Sequence, residues 1–413
     1  MPSIDTIVIG TGQAGLAVSR CLVDRGVDHV VLERGRVAER WRTERWDSLR
    51  LLTPNWMSRL PSWSYDGPDP DGFMTAAEVA DFFAGYARSS AAPVEEQSAV
   101  ESLRYDGEEY QLRTTSASWT ARHVVIATGW CDRPAIPAMA SGLSPDISQI
   151  APNSYRNPSS VPDGGVLVVG ASATGVQLAD ELRASGRDVV LAAGRHSRLP
   201  RRYRGMDIFW WLDRTGIREK TIDEMPDPVR ARHEPSLQLV GGTDRRSVDL
   251  TTLQDAGVQV TGRVVGIDGR HVRLAEDLAH TAADADRRMR RVLGEIDRHI
   301  DETGLSDEVL APEPIAPVRP GHAPDRLDLG GRGITSVVWA TGHRRAYPWL
   351  HVPVLDEHGE IRNQRGVTPL PGLYVLGQHF QHARNSDSID GVGRDAEFVA
   401  EHLTCRAAAT PHH

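Results

Sequence analysis

The passage IVIGTGQAGLAVSRCLVDRGVDHVVLERGR opens the chain, and VLVVGASATGVQLADELRASGRDVVLAAGRH repeats its design 160 residues later. The shift puts Gly10 on Gly170, Gly15 on Gly175, Gly26 on Gly186 and Glu33 on Ala193, so strand, glycine turn, helix and second strand all keep register. An apolar run that stops at a glycine turn and resumes with helical spacing is the start of a βαβ unit. Such a unit calls for a parallel sheet with helices over its faces. The 413 residues are more than one ordinary core organises. Two copies of the unit in one chain therefore predict an α/β protein with two such sheets.

The rest of the chain is arranged around these copies. AVESLRYDGEEYQLRTTSASWTARHVVIATG alternates apolar and polar residues, which predicts a small antiparallel meander ending in a buried strand before Gly129. A matching strand, ITSVVWATG, ends at Gly342. The two ATG turns read as the places where the chain passes between domains, and NSYRNPSSVPDGG and the proline-rich 311–326 as crossing segments. The expected division is 1–160 with 333–413 as one discontinuous domain and 161–332 as the other. From about 276 to 304, Leu278, Ala282, Ala285, Met289, Val292, Ile296 and Ile300 recur at helical spacing. They predict an added helix, or two short ones, that packs on a domain surface or serves as a lid or dimer contact.

Composition removes several function classes. No run of about 18 apolar residues could span a bilayer, and the first apolar run begins at Ile4, which leaves no room for a signal peptide. No membrane association and a cytoplasmic location are the expectations. A net charge of −9 argues against nucleic acid as a partner. Cys21, Cys131 and Cys405 form no C-x-x-C pair, so neither a dithiol centre nor a metal site is read.

The first turn, GTGQAG, carries the whole G-x-G-x-x-G as Gly10, Gly12 and Gly15, with Gln13 and Ala14 between. Its glycines allow a tight turn, close approach of the backbone to a pyrophosphate, and close packing of helix on strand. Glu33 ends the second strand, where an acid binds the hydroxyls of an adenosine ribose. Turn and acid together predict a dinucleotide, and FAD in particular; otherwise Glu33 is a solvated strand-end carboxylate. Near the C-terminus, Asp390, Gly391, Val392 and Gly393 open a helix whose N–H groups could face the pyrimidine end of an isoalloxazine. Asp390 can serve as its N-cap.

The second turn has Gly170, Ser172, Thr174 and Gly175, with a serine at the middle glycine position. Ala193 stands where the first copy has its acid and is followed by Arg195, His196 and Arg198. An acid there would repel a 2′-phosphate, whereas these three residues could bind one, which predicts NADPH. The alternative is a generic basic loop. Two Rossmann-like dinucleotide-binding domains follow, one for each nucleotide, with Arg34, Trp41, Gly129, Thr341 and Gly342 completing the expected cofactor contacts.

With VIGTGQAGL, ERWRTERWDSLRLLTPNWMSRLP, VVIATGW, YRNPSSVPDGGVLVVGASATGVQLADEL, WATGHRR and IDGVGRDA in one chain, the sequence resembles the class B flavoprotein monooxygenases over nearly its full length. These are two-dinucleotide-binding-domain flavoproteins that include flavin-containing monooxygenases, N-hydroxylases and Baeyer–Villiger enzymes, with bacterial members described as FAD-dependent oxidoreductases. The resemblance implies a cycle in which NADPH reduces FAD, O2 adds at the flavin C4a position, and the hydroperoxide oxygenates a small organic substrate. The alternative is a flavin reductase or dehydrogenase that passes electrons to a non-disulfide acceptor.

Asn55, in TPNW, resembles the family asparagine near the flavin N5, with Thr53 as the neighbouring candidate; Asn55 also reads as a turn residue after Pro54. One departure stands out. The family fingerprint F-x-G-x-x-x-H, set by an aromatic at Tyr155, meets Pro145, Ile147 and Ala151 here. Trp41, Trp46, Trp56 and Trp63, with Phe209, Trp210 and Trp211, line an aromatic or polycyclic substrate pocket or simply pack the core. His343, His379 and His382 are acid–base candidates. A homo-oligomer is possible on this reading.

Overall fold

The computed structural model describes residues 2–321 and 324–409. The first sheet runs, in spatial order, Val94–Glu95, His29–Leu32, Ser3–Ile9, Ser118–Ile126, Tyr110–Thr114 and Val100–Tyr105, and Leu373–Val375 also pairs with Ser118–Ile126. That nine-residue strand serves two sheets' worth of partners. Along one edge it pairs parallel with Ser3–Ile9 (Ser3↔Thr120 to Ile9↔Ile126); along the other, its first half pairs antiparallel with the meander (Tyr110↔Ala121) and its second half parallel with Leu373–Val375 (Leu373↔Val124). The expected meander is therefore present. Tyr110–Thr114 alternates buried and exposed residues because one face meets water, whereas His29–Leu32 is buried throughout because helices cover one face and the meander with residues 347–361 covers the other.

The second sheet is all parallel: Ser148–Ile150, Ile334–Trp339, Gly165–Val169, Val189–Ala192 and Gln259–Thr261. Its membership corrects the expected boundaries at 160 and 333. Ser148–Ile150 and Ile334–Trp339 both belong to the second sheet, and the Pro- and Ser-rich segment before Gly165 packs on that unit as well. Tyr155 lies in the second core, and Arg187 donates to the carbonyls of Pro158, Val161, Pro162 and Gly164. Proline and serine marked a loop there, not a crossing. The chain crosses just past the ATG turns, where Arg133–Pro134 and His343–Arg344 pair antiparallel as a two-strand ribbon. The Thr341 hydroxyl donates to Ala135 O at 2.8 Å and pins it.

Residues 278–303 form one helix, Leu278–Thr303, capped by Gly304 at φ +72°. Its buried stripe takes Leu293 in place of the expected Val292, which is half-buried. Met289, Leu293, Ile296 and Ile300 pack on Phe209 and Trp211 of the helix Ile208–Arg214, so both the added helix and most of the FWW triplet are core. Among the other tryptophans, Trp46 joins the second core and Trp63 stacks on Tyr86.

Candidate functional site

The two glycine turns share one backbone. Gly12 (φ −75°, ψ −174°) and Ser172 (φ −79°, ψ −174°) head the helices Gln13–Asp24 and Ala173–Ala184, and no side chain caps either helix. Gly10 and Gly170 take φ +106° and +107°, where an L side chain is strained. A Cβ on Gly10 would also lie 2.7 Å from Ala127 O, and one on Gly170 would overlap Ala340 O. At Gly15 and Gly175 a Cβ would overlap the carbonyl oxygen of Gly10 or Gly170. The middle position differs: its φ is negative, and a Cβ on Gly12 would meet nothing within 4 Å. Conformation thus admits Ser172, and what glycine preserves at 12 is room in front of uncapped helical N–H groups. That is a pyrophosphate cradle.

Glu33 forms the lip of the first cradle. Its Oε2 accepts from Thr11 N (3.0 Å) and Thr11 Oγ1 (2.7 Å), and Oε1 from Gly35 N (3.0 Å). A carboxylate has about four acceptor positions, so capacity remains for a ribose hydroxyl. The loop 377–391 lies across the head of the same helix: Gln13 Nε2 donates to Asp387 O at 3.0 Å, and Ala14 abuts Gly377. On this loop Gln378 is 5% exposed, and neither atom of its amide has a hydrogen-bond partner. Tyr347 is the nearest side chain able to pair with it, and an amide so placed on the loop over the helix head is suited to a polar ligand such as the flavin dinucleotide. His379 Nδ1 is bonded to Asp387 Oδ2 at 2.8 Å, and its ring faces Trp130, one residue past Gly129.

Several assignments made from the sequence need correction. The N–H groups of Gly391 and Val392 both donate to Ser388 O, so they are spent inside the turn. Asp390 does not act as the cap of Val392–Ala409: its carboxylate accepts from Arg218 Nη2 at 2.7 Å and Asn385 Nδ2 at 3.4 Å. Asn55 is 4% exposed and holds a loop, with Nδ2 donating to Asp69 O (2.9 Å) and Oδ1 accepting from Met74 N (2.7 Å). The turn role wins there. Thr53, half-buried, keeps a hydroxyl without a partner among the described residues. The carbonyl of its neighbour Leu52 is held by Arg201 Nη1 at 2.6 Å. Arg34 pairs with Glu44 (3.5 Å) and Asp132 (3.9 Å), and Trp41 lies under Arg45.

The second cradle is corrected at its basic end. His196 is 0% exposed, and Arg198, 3% exposed, is held by Asp249 and Asp286 at 2.7 Å each and donates to Ala316 O. Both are interior. Arg195 is exposed at the end of Val189–Ala192 and donates to His233 O. Arg288, unnoticed in the sequence because it falls among the charges of the long helix, joins it and donates to His196 O at 2.5 Å. Burial lowers the Arg288 pKa, and Arg195 and Arg230 push the same way against Asp284 and Glu234. Arg195, Arg230 and Arg288 therefore form the positive cluster at this strand end. Thr174 is half-buried in the first turn of its helix, and Gln238 Nε2 donates to Ala171 O beside it.

The thiols are not redox partners. All three are free, and burial pushes Cys131 up to about 11 and Cys21 to about 12, so both stay protonated at neutral pH. Among the described residues no cluster of three metal-ligating side chains occurs, and no helix is long and apolar enough to cross a membrane.

Comparison with known proteins agrees with this geometry. Residues 7–206 match the family described as pyridine nucleotide-disulphide oxidoreductase. An uncharacterized CzcO-like oxidoreductase of Geobacillus kaustophilus is 30% identical over 400 residues, covering 96% of this chain and 97% of its own. Indole-3-pyruvate monooxygenase YUCCA4 of Oryza sativa subsp. japonica is 29% identical over 239 residues, 52% of this chain and 54% of its own. In fold, the chain is similar to a flavin-containing monooxygenase from Stenotrophomonas maltophilia (TM-score 0.67, 18% identity, 98% of this chain and 100% of that one). It is also similar to the bacillithiol disulfide reductase of Staphylococcus aureus (TM-score 0.60, 12% identity, 98% and 99%). Fold alone does not separate oxygenases from disulfide reductases. The end-to-end match to the Geobacillus protein places this chain in the CzcO-like oxidoreductases, flavin-dependent enzymes of the class B flavoprotein monooxygenase family.

Proposed function

We propose that the protein is an NADPH-consuming monooxygenase that binds FAD at the first cradle and NADPH at the second, and oxygenates a small aromatic organic substrate. The observation that carries this reading is the pair of cradles with one backbone geometry, of which only the first ends in an acid. Uncapped N–H groups at Gln13 and Ala173 receive the two pyrophosphates, and Glu33 receives the adenosine ribose of FAD. Arg195 and Arg288 take the 2′-phosphate that an acid at 193 would repel. Bound FAD supplies hydride acceptance and the reaction with O2. The chain's part is to bring the nicotinamide and flavin together and keep water out, with the Thr53 hydroxyl on the substrate side. An aromatic substrate is supported by the half-buried Trp41 and Trp130 and by the indole-3-pyruvate of the rice relative's name.

The test is turnover with NADPH and isotopically labelled O2 over a panel of aromatic acids, amines and sulfides that includes indole-3-pyruvate. One labelled oxygen atom in a product is the expected result. NADPH oxidation that yields only hydrogen peroxide, or a reduced acceptor with no label, would contradict it. The second outcome belongs to a flavin reductase, a reading favoured by Ala151 at the family's linker histidine.

A further inference from the structure

Arg45 is a half-buried guanidinium that has no hydrogen bond and no ion pair among the described residues; its one contact is the Trp41 ring, 5.1 Å away. Burial lowers its pKa, and the nearby Arg40 adds to the effect against Cys131 and Glu44. The acids of this neighbourhood are already engaged. Glu44 and Asp132 are shared between Arg34 and Arg40, and Asp387 is held by His379. A guanidinium partly withdrawn from water is stabilised by a counter-charge, and no acid among the described residues pairs with this one.

Its location says what would. Arg45 lies close enough to Cys131 and His343 to act on the titration of both. Trp41 packs against the first core and Trp46 lies in the second, and Arg40 donates to the carbonyl of Cys131, two residues past Gly129, so Arg45 sits where the chain passes between the two units. The ribbon that joins the units there adds a second unfavourable charge: Arg344 pairs directly across from Arg133. Like charges facing each other across a strand pair are destabilising. In a chain of net charge −9, this crevice is locally positive.

We propose that Arg45 is the anion-binding residue of the crevice between the cradles, and that the anion it takes is a carboxylate borne by the enzyme's aromatic substrate. The Trp41 ring backs the guanidinium and leaves its edge free for a two-point bond to the carboxylate. This rests on the oxygenase reading only in calling the bearer a substrate, and binding can be measured without turnover.

The experiment is calorimetric titration of the FAD-loaded oxidised protein with benzoate, indole-3-acetate and phenylpyruvate, with neutral indole-3-acetamide as control and NADP+ measured separately. Wild type is expected to bind at least one of the acids and to prefer indole-3-acetate over its amide. Arg45→Met should weaken the acid about ten-fold or more, leave the amide and NADP+ unchanged, and keep its FAD; Arg45→Lys should recover part of the loss. Binding of none of the acids, or equal binding by Arg45→Met, overturns the proposal. So does a loss in Arg45→Met of NADP+ or FAD affinity in place of carboxylate affinity, since the anion would then be a cofactor diphosphate. Absence of labelled oxygen in turnover together with Arg45-dependent acid binding would refute the oxygenase reading and leave the site standing.

Discussion

Single residues in the two turns have separable jobs. Gly12→Val leaves φ acceptable but fills the room in front of the helix, so the variant should fold and lose FAD, as flavin absorbance of the purified protein and its melting temperature will show. Gly15→Ala instead drives a methyl group into Gly10 O and should cost about 3 kcal/mol of stability in denaturant titration. The basic loop separates in the same way. Arg195→Ala should weaken NADPH over NADH by about 1.5–3 kcal/mol in KM or Kd. Arg198→Met should leave that preference alone and destabilise the fold by about 3–5 kcal/mol, because Asp249 and Asp286 would lose their shared cation. Their two destinies were not legible in the sequence: Arg195 and Arg198 are three residues apart, and the acids that draw Arg198 inward lie 51 and 88 residues away. The glycines were legible because the positive φ of Gly10 and Gly170 and the overlap of a Gly15 or Gly175 Cβ with the carbonyl five residues earlier are local properties of the turn.

At the level of elements, the repeated βαβ units, the meander, the long helix and both ATG strands follow from periodicity that spans many residues. Shorter pieces escaped it. Ser148–Ile150 has three residues and no period to read, and it joins the second sheet through Ile334–Trp339, far along the chain. The Asn55 amide likewise spends its bonds on Asp69 and Met74, a loop whose return path is a tertiary matter. Buried histidines on these elements make stability depend on pH. Burial lowers the pKa of His29, His196 and His343 below their ordinary 6.5. The unfolded chain then takes up protons first as pH falls, so stability should be complete above about 6.5 and decline below it toward the folded-state values. Urea midpoints measured from pH 8 to pH 5 should show that decline, and His29→Gln should reduce its slope. A midpoint that does not change over this range would mean these rings titrate normally.

For the whole molecule, two sheets with matching turns are joined by one ribbon, and the C-terminal loop closes the seam. Ile222 N donates to His382 O at 2.7 Å, and Arg218 holds Asp390, so the second unit grips the loop that covers the first cradle. Such a body brings two nucleotides to one crevice, and its central claim is that electrons pass between them there. The most direct measurement is anaerobic mixing of the FAD-loaded protein with NADPH and, separately, NADH, following the visible band of oxidised flavin. Rapid bleaching by NADPH and much slower bleaching by NADH is the expected result. A flavin that stays oxidised with NADPH, or that both donors reduce equally, would contradict the assignment of the second cradle and its arginines to NADPH.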